Sequence, residues 1–343
     1  MQDFAHEVGE LAHRIFADVA AQDGVGLDRG TWKVLGESGL TDLFQTAEGP
    51  GEGWPEAAAL LVEAGAAGAR IPIVEHDLLG GWLLRRAGLP DDGSGPRTCG
   101  TSSGGVARAV PWAREAASIV LLDRRDDGRL TVLETGAGAV EITPGENLAG
   151  EYRDDVRLVD GAAGAAEIEV DAEVAAEYAA RRSLARTLMI AGASARVLEI
   201  AADHAVTREQ FGRRLAKFQA VQHLVTTIAA ETALIRAAAD GAVGVVRRAG
   251  TGDRRARVAI LAAASCAAHG ASVVARNAHQ VLGAMGCTRE HPLHRSTQRV
   301  LSWRSENGSV HGLDAALLRE TAGLDPTDLW SLLVDAAPSS EFM

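Results

Sequence analysis

Apolar residues recur at helical spacing from the start of the chain, with Val8, Leu11, Ile15 and Val19 forming one stripe three to four residues apart. Trp32, Leu35, Leu40 and Leu43 continue the pattern in a second helix interrupted near Gly36–Gly39. The Gly-rich run Glu48–Gly53 punctuates before a helix over Ala57–Ala67, and Ile71–Glu75 leads into another over Leu78–Leu89. After Pro90 the texture changes. Gly, Asp and Ser clusters separate short β-favouring runs at Ser118–Leu122, Leu130–Leu133, Val140–Thr143, Val156–Val159 and Ala166–Val170, which predicts a small antiparallel β unit. From Val174 the helical period returns, with Leu184, Leu188, Ala191, Ala195, Leu198 and Ala202 on one face and a second stripe over Phe218–Leu234. A third long helix is predicted over Ala256–Leu282 and a fourth around Leu313–Leu318. The expectation is an α+β chain, mostly α, in which a helical segment (1–92) and a β segment (93–173) precede an antiparallel helical bundle (174–343).

Composition narrows the function classes. The chain has 343 residues, 47% hydrophobic and 23% charged, with 46 acidic against 34 basic side chains and a net charge of −12. Such a chain buries an ordinary core, and its acidic balance offers no concentrated positive footprint for nucleic acid or an anionic membrane. Lys33 and Lys217 are the lysines, so nearly all positive charge is guanidinium. Cys99, Cys266 and Cys287 are too few and too scattered for a disulfide framework. No stretch approaches the ~18 apolar residues of a membrane span, and the amino terminus lacks a cationic start followed by an apolar run, so a reducing cytoplasm is expected.

A phosphate loop ending in Gly-Lys-Ser/Thr, a Gly-x-Gly-x-x-Gly turn and a Gly-x-Ser-x-Gly elbow are all absent. Cys287, His291 and His294 have a spacing compatible with zinc, but a fourth ligand is not evident and Pro292 intervenes, so no metal is expected. Two other segments carry more. Thr207–Gln219 joins two long helices through Arg208, Gln210, a Phe211-Gly212 turn and Gln219. His279–Pro292 places Gln280, Gly283 and Gly286 where a helix stops, which lets a flat or phosphorylated ligand approach the backbone, and the Arg208 fork suits the same ligand.

Together these segments resemble the carboxy-terminal domain of acyl-CoA dehydrogenases. The resemblance implies a helical amino-terminal domain, a middle β-barrel, here shortened, and a closing four-helix bundle. It implies FAD as cofactor and an acyl-CoA thioester as substrate. In the family an Arg-x-[Gln/Thr]-Phe-Gly turn and a Gln-x-x-Gly-Gly-x-Gly turn grip the adenosine pyrophosphate end of FAD bound mainly by a neighbouring subunit. The matching residues are Arg208, Gln210, Phe211, Gly212 and Gln219, then Gln280, Gly283, Ala284 in place of one glycine, and Gly286, with Ser309 as a further cofactor contact.

The family's reaction removes a proton alpha to the thioester while the beta hydride passes to flavin, so a positioned carboxylate is required. Ungapped counting from Gln280 puts the usual Glu-Gly-Thr base position on Asn307-Gly308-Ser309, and counting back from Arg208 puts the alternative helix position on Arg182. Neither is a carboxylate. Glu306 stands one residue away, where a slip in the loop would make it the base, against pairing with Arg304 or solvent. By resemblance, a backbone N–H near Asn307 or Gly308 polarises the thioester carbonyl. The family's first flavin-ring strand has no match before Val106–Ala113, in which Trp112 reads as a core aromatic. This pattern resembles a base-lacking subunit of a heteromeric enzyme of lipid or steroid breakdown, such as a tetramer with a second, base-bearing subunit. A self-associating dehydrogenase that uses Glu306 and a cofactor-free helical scaffold are the competing readings, and for either enzyme the sequence leaves open whether an electron-transfer partner or oxygen re-oxidises the flavin.

Overall fold

The computed structural model describes residues 2–17, 19, 24, 26–45, 49, 51–92, 95–159, 167–288 and 290–336. Glu48 and Pro50 of the Gly-rich run, Ala166 of the last predicted strand and Arg289 lie outside them. The chain forms two compact units, one from Met1–Ala20, Trp54–Gly68 and Ser183–Met343, the other from Ala21–Gly53 and Ala69–Arg182.

In the second unit, α2 (Arg29–Glu37) begins at Asp28, whose carboxylate accepts the Thr31 N–H at 3.0 Å. It stops at Glu37 instead of continuing through the break to Leu40 and Leu43, because Gly39 turns left-handed at φ 71°. The segment expected as a helix from Leu78 starts earlier, as a π-helical stretch Val74–Gly81 that passes into α4 (Trp82–Ala87). That stretch buries Glu75, His76 and Asp77. Asp77 accepts the Phe44 N–H at 2.6 Å and pairs with Arg85 at 2.8 Å, yet burial still raises its carboxyl above the ordinary range. His76 accepts the Arg97 N–H on Nδ1 at 3.1 Å and turns Nε2 toward Asp42 at 3.5 Å.

The sheet comprises β1 (Arg97–Ser103), β2 (Val106–Pro111), β3 (Ser118–Arg124), β4 (Leu130–Gly136), β5 (Val140–Thr143), β6 (Arg153–Leu158) and β7 (Glu167–Val170), in the order β5-β6-β2-β1-β3-β4-β7. Ala107, Val110, Ile119, Leu121, Leu133 and Val156 form its core. The expected antiparallel unit is corrected in one pairing: β1 and β3 run parallel, from Arg97 opposite Ser118 to Ser103 opposite Arg124. The β1–β2 hairpin and the Trp112–Ala117 connection return the chain to the start of β1, so β3 leaves in the same direction. β1 escaped the hydrophobic pattern because its buried side chains are largely polar. Arg97 meets Asp91 at 3.0 Å and Glu134 at 3.2 Å, and Ser102 donates to Asp123 at 2.6 Å.

In the first unit, α1 (Gln2–Phe16) buries Val8, Ala12 and Phe16 and packs on α3 (Trp54–Ala67). The unit also holds the long α5 (Ala172–Thr207) from Ser183 onward, α6 (Gln219–Ala249) and α7 (Arg254–Leu282), the last two packed on each other. The fourth expected helix, around Leu313–Leu318, is α9 (Val310–Thr321); a further helix that the sequence reading did not separate, α8 (Leu293–Glu306), precedes it across a break at Asn307-Gly308, where Gly308 has φ 106°, and α10 (Pro326–Ala336) follows. Helices α3 and α5 cross with their backbones in contact. A Cβ on Gly65 would lie 2.2 Å from the Met189 carbonyl oxygen, and one on Gly192 would lie 1.9 Å from that of Val62. Contrary to the expectation, the helical run Arg254–Cys287 does hold a window long and apolar enough to cross a membrane, with mean hydropathy 1.8. Half of the window is buried, and α7 is a central bundle helix flanked by α6, α8 and α9.

Candidate functional site

One end of the bundle gathers both nucleotide-type segments. Val197, Ile200, Ala201 and Ala205 of α5, Ile228 of α6, Val274, Ala278, Val281 and Leu282 of α7 and Leu293 of α8 share one apolar cluster, against which Ala216 and Val221 also pack. That core sets the spacing of the two turns above it.

The first turn is a hairpin. β8 (Glu209–Gln210) pairs with β9 (Arg213–Arg214), and the Leu215 N–H closes it onto the Arg208 carbonyl at 2.9 Å. The loop residues Phe211 and Gly212 both have positive φ, 52° and 74°, as a two-residue hairpin turn demands. For Phe this costs on the order of 1 kcal/mol or more, and its ring is 91% exposed. The ring meets Phe218 edge-on at 6.3 Å, while the Arg213 guanidinium lies 4.1 Å over Phe218. Arg208, Gln210 and Gln219 are exposed, and Arg208 makes no ion pair among the described residues. One hairpin thus carries a strained, solvent-facing aromatic at its tip and an exposed guanidinium without an ion pair at its base, groups suited to a planar, phosphorylated ligand.

The second turn follows α7. Gln280 is exposed on its last turn, and Gly283 ends it at φ 60°, ψ −141°, a conformation reserved for glycine, with its N–H on the His279 carbonyl. Nothing lies within 4 Å of where a Gly283 Cβ would be, so the backbone is open to close approach. Ala284 is exposed in the following 3-10 turn Gly283–Cys287, and Gly286 is buried. Three histidines line this end. His204 and His291 meet edge-on at 6.3 Å, and His204, His279 and His291 all have their imidazoles held below the ordinary value by burial, with neighbouring His294, His291 or Arg208 adding repulsion.

The base loop sits elsewhere. Helix α8 carries the chain 14 residues from Leu293 to Glu306, about 20 Å along its axis. Glu306 Oε2 lies 3.0 Å from Arg186 Nε on α5, with the guanidinium side chain only 6% exposed; Arg304 instead donates to Ser272. Asn307 caps α8 and donates its amide to the Ser183 carbonyl at 3.4 Å. The two amides expected to polarise a carbonyl are taken by α8 itself: Asn307 N–H reaches the Trp303 oxygen and Gly308 N–H the Ser305 oxygen, each at 3.2 Å. Ser309 accepts the Gly312 N–H at 3.0 Å as the cap of α9. Arg182, at the alternative base position, is half-buried. Arg181 beside it is buried between Phe44 and Trp82 and donates to the Leu78 carbonyl at 3.1 Å; desolvation lowers its guanidinium to about 10. Trp112 is a buried core aromatic of the sheet unit, tilted on Tyr152 at 6.1 Å. Arg186 and Ser183 could not be singled out from the sequence, because their partners lie more than a hundred residues away.

Residues 172–310 match the family model described as acyl-CoA dehydrogenase, C-terminal domain. The acyl-CoA dehydrogenase FadE34 of Mycobacterium tuberculosis is 34% identical over 222 residues, 63% of this chain; the match spans 29% of that relative's length. The ChsE4-ChsE5 complex from the same organism contains a chain with the same fold, at TM-score 0.82 and 23% identity, covering 94% of this chain and 98% of that one. The steroid ACAD Tcur3481-Tcur3483 also shares it, at TM-score 0.79 and 21% identity, over 93% and 97% of the two chains.

Proposed function

We propose that this chain is a member of the acyl-CoA dehydrogenase family and, within it, the base-lacking subunit of a heteromeric flavoenzyme that desaturates an acyl-CoA thioester, a reading supported by the match of its carboxy-terminal region and by its curated relative. The observation that carries the proposal is the residue at the base position. Asn307 has no oxygen basic enough to take a proton, and its side chain is bound to the α5 backbone. The neighbouring carboxylate, Glu306, is engaged by Arg186, so removing a proton from substrate would first require opening a mostly buried ion pair. The Asn307 and Gly308 amides that would stabilise a developing enolate are already spent inside α8.

The other end of the bundle keeps a surface that fits the nucleotide half of FAD. Arg208 offers a forked, unpaired guanidinium to a pyrophosphate, Gly283 an open backbone, and Phe211 an exposed ring face. FAD, when bound, supplies the hydride acceptor. This chain would hold the cofactor's nucleotide end while a partner subunit supplies the carboxylate base. The ChsE4-ChsE5 complex and the steroid ACAD named above support a two-subunit assembly and a steroid or other lipid-derived thioester as substrate class. A cytoplasmic setting and an electron-transfer partner accompany this proposal.

The test is expression of the chain alone and together with base-bearing dehydrogenase subunits encoded beside it, followed by the flavin absorption band and the mass of each purified assembly. Colourless protein that turns yellow only with a second subunit is expected. A yellow, active homo-oligomer would overturn the proposal in favour of a self-sufficient enzyme, and colourless protein under both conditions would overturn it in favour of a scaffold.

A further inference from the structure

The nucleotide end of the bundle carries a second group of side chains that neither the base loop nor the nucleotide surface uses. Cys287 closes the 3-10 turn Gly283–Cys287 and is exposed. Its Sγ lies 3.8 Å from Nδ1 of His279, on the last turn of α7. The other ring nitrogen, Nε2, lies 2.9 Å from the hydroxyl of Thr297 on α8, a side chain that is 1% exposed. The Thr297 hydroxyl donates its one proton to the Leu293 carbonyl at 3.2 Å or the His294 carbonyl at 3.3 Å. With that donor assignment its oxygen receives the His279 Nε2–H, and in this tautomer the Nδ1 lone pair faces the sulfur. Gly286 keeps the space beside the ring clear, since a Cβ there would press on Leu282 at 2.9 Å and Leu293 at 3.0 Å and sit 3.4 Å from Nδ1. Three segments thus deliver a nucleophile, a base and a group that orients the base.

We infer that Cys287 is a thiol activated by His279 and a site of modification by low-molecular-weight disulfides. In the exchange the Sγ–H proton passes to His279 Nδ1 and the sulfur attacks one sulfur of the disulfide. The S–S bond breaks, Cys287 becomes a mixed disulfide, and the departing thiolate leaves as a thiol after taking the proton from Nδ1. No other oxidant is needed. Burial and the neighbouring His294 favour the neutral imidazole that this step requires. The other two thiols are unlike it: Cys99 is buried beside the Tyr178 hydroxyl at 3.5 Å, and half-burial pushes the Cys266 thiol up. The adduct would stand directly after the Gly283–Gly286 turn. Its consequence for flavin rests on the proposed function above, whereas the reactivity does not.

The full chain is incubated with glutathione disulfide at neutral pH, and the adduct is located by intact-mass and peptide analysis, with and without flavin. One glutathionyl group on Cys287 is expected, formed roughly tenfold faster than on an unassisted cysteine. His279→Gln should return the rate to the unassisted value, and Thr297→Val, which removes the orienting oxygen while keeping the volume, should lower it in the same sense and serves if His279→Gln does not fold. Modification of Cys266 at an equal rate, or an unchanged Cys287 rate in the folded variants, would overturn the inference. In the two-subunit assembly, modified protein should retain less flavin. An assembly that never binds flavin would defeat the proposed function and leave the thiol result standing, while a sluggish Cys287 in a yellow assembly would do the reverse.

Discussion

Glu306 on α8 and Arg186 on α5 lie 3.0 Å apart, and the carboxylate nearest the expected base position is thereby tied to a cation that is 6% exposed. Removing one member of such a pair strands the other. Glu306→Gln is expected to lower stability by roughly 3 kcal/mol, read by urea denaturation, while leaving the turnover of a co-purified two-subunit assembly unchanged. Lost turnover with flavin and stability intact would instead make Glu306 the base.

Arg208 has the opposite profile, exposed and without an ion pair among the described residues. Arg208→Ala should change stability by no more than about 0.5 kcal/mol. Flavin affinity of the assembly should fall about tenfold or more, the scale of one lost charge-assisted hydrogen bond. Equilibrium dialysis of the flavin would measure this, and unaltered retention would remove Arg208 from the nucleotide surface.

At the α3–α5 crossing, Gly192→Ala would place a methyl 1.9 Å from a backbone oxygen that has no rotamer to move. The helices must part. A loss of about 3 kcal/mol or more is expected, against about 1 kcal/mol of gain or loss for Gly244→Ala, whose added Cβ meets only the end of Arg248 at 3.7 Å. Comparable melting temperatures for the two variants would contradict the crossing.

The histidines at the Gly283 end of the bundle give a pH dependence of known sign. His204, His279 and His291 titrate below the ordinary 6.5 in the folded chain, chiefly through desolvation, so the unfolded chain binds more protons in that range. Their contribution is complete above 6.5 and declines as pH falls through their folded values. Denaturation midpoints should therefore drop between pH 7 and 5, with a shallower slope in His204→Gln. A profile that rises on acidification would reverse the assignment.

Much of this could be seen in the chain itself, and the reasons for the remainder are physical. The Gly212 and Gly283 turns are local features that their glycines make possible, and the long helices follow from their 3.6-residue period. Strand β1 has no such signature, because Arg97, Thr98 and Ser102 are buried through partners contributed by other segments. The parallel β1–β3 pairing is likewise a property of the path between strands. At the base loop, one-dimensional counting located Asn307 and Glu306, but the Arg186 ion pair and the Ser183 carbonyl that hold them are set by how α5 packs on α8. The same holds for His279 and Thr297, whose contact joins two helices across a turn.

The backbone contact of Gly65 with Met189 also imposes an order of events on synthesis. Helix α3 is strongly apolar, and beyond α1 it needs the Met189–Gly192 surface of α5, more than a hundred residues downstream. At ordinary elongation rates of ~5–20 residues per second it leaves the ribosome on the order of ten seconds before that surface exists. During this interval the backbone face around Val62 and Gly65 has no native partner on α5, so a nascent chain stalled before residue 183 is a species in need of a chaperone.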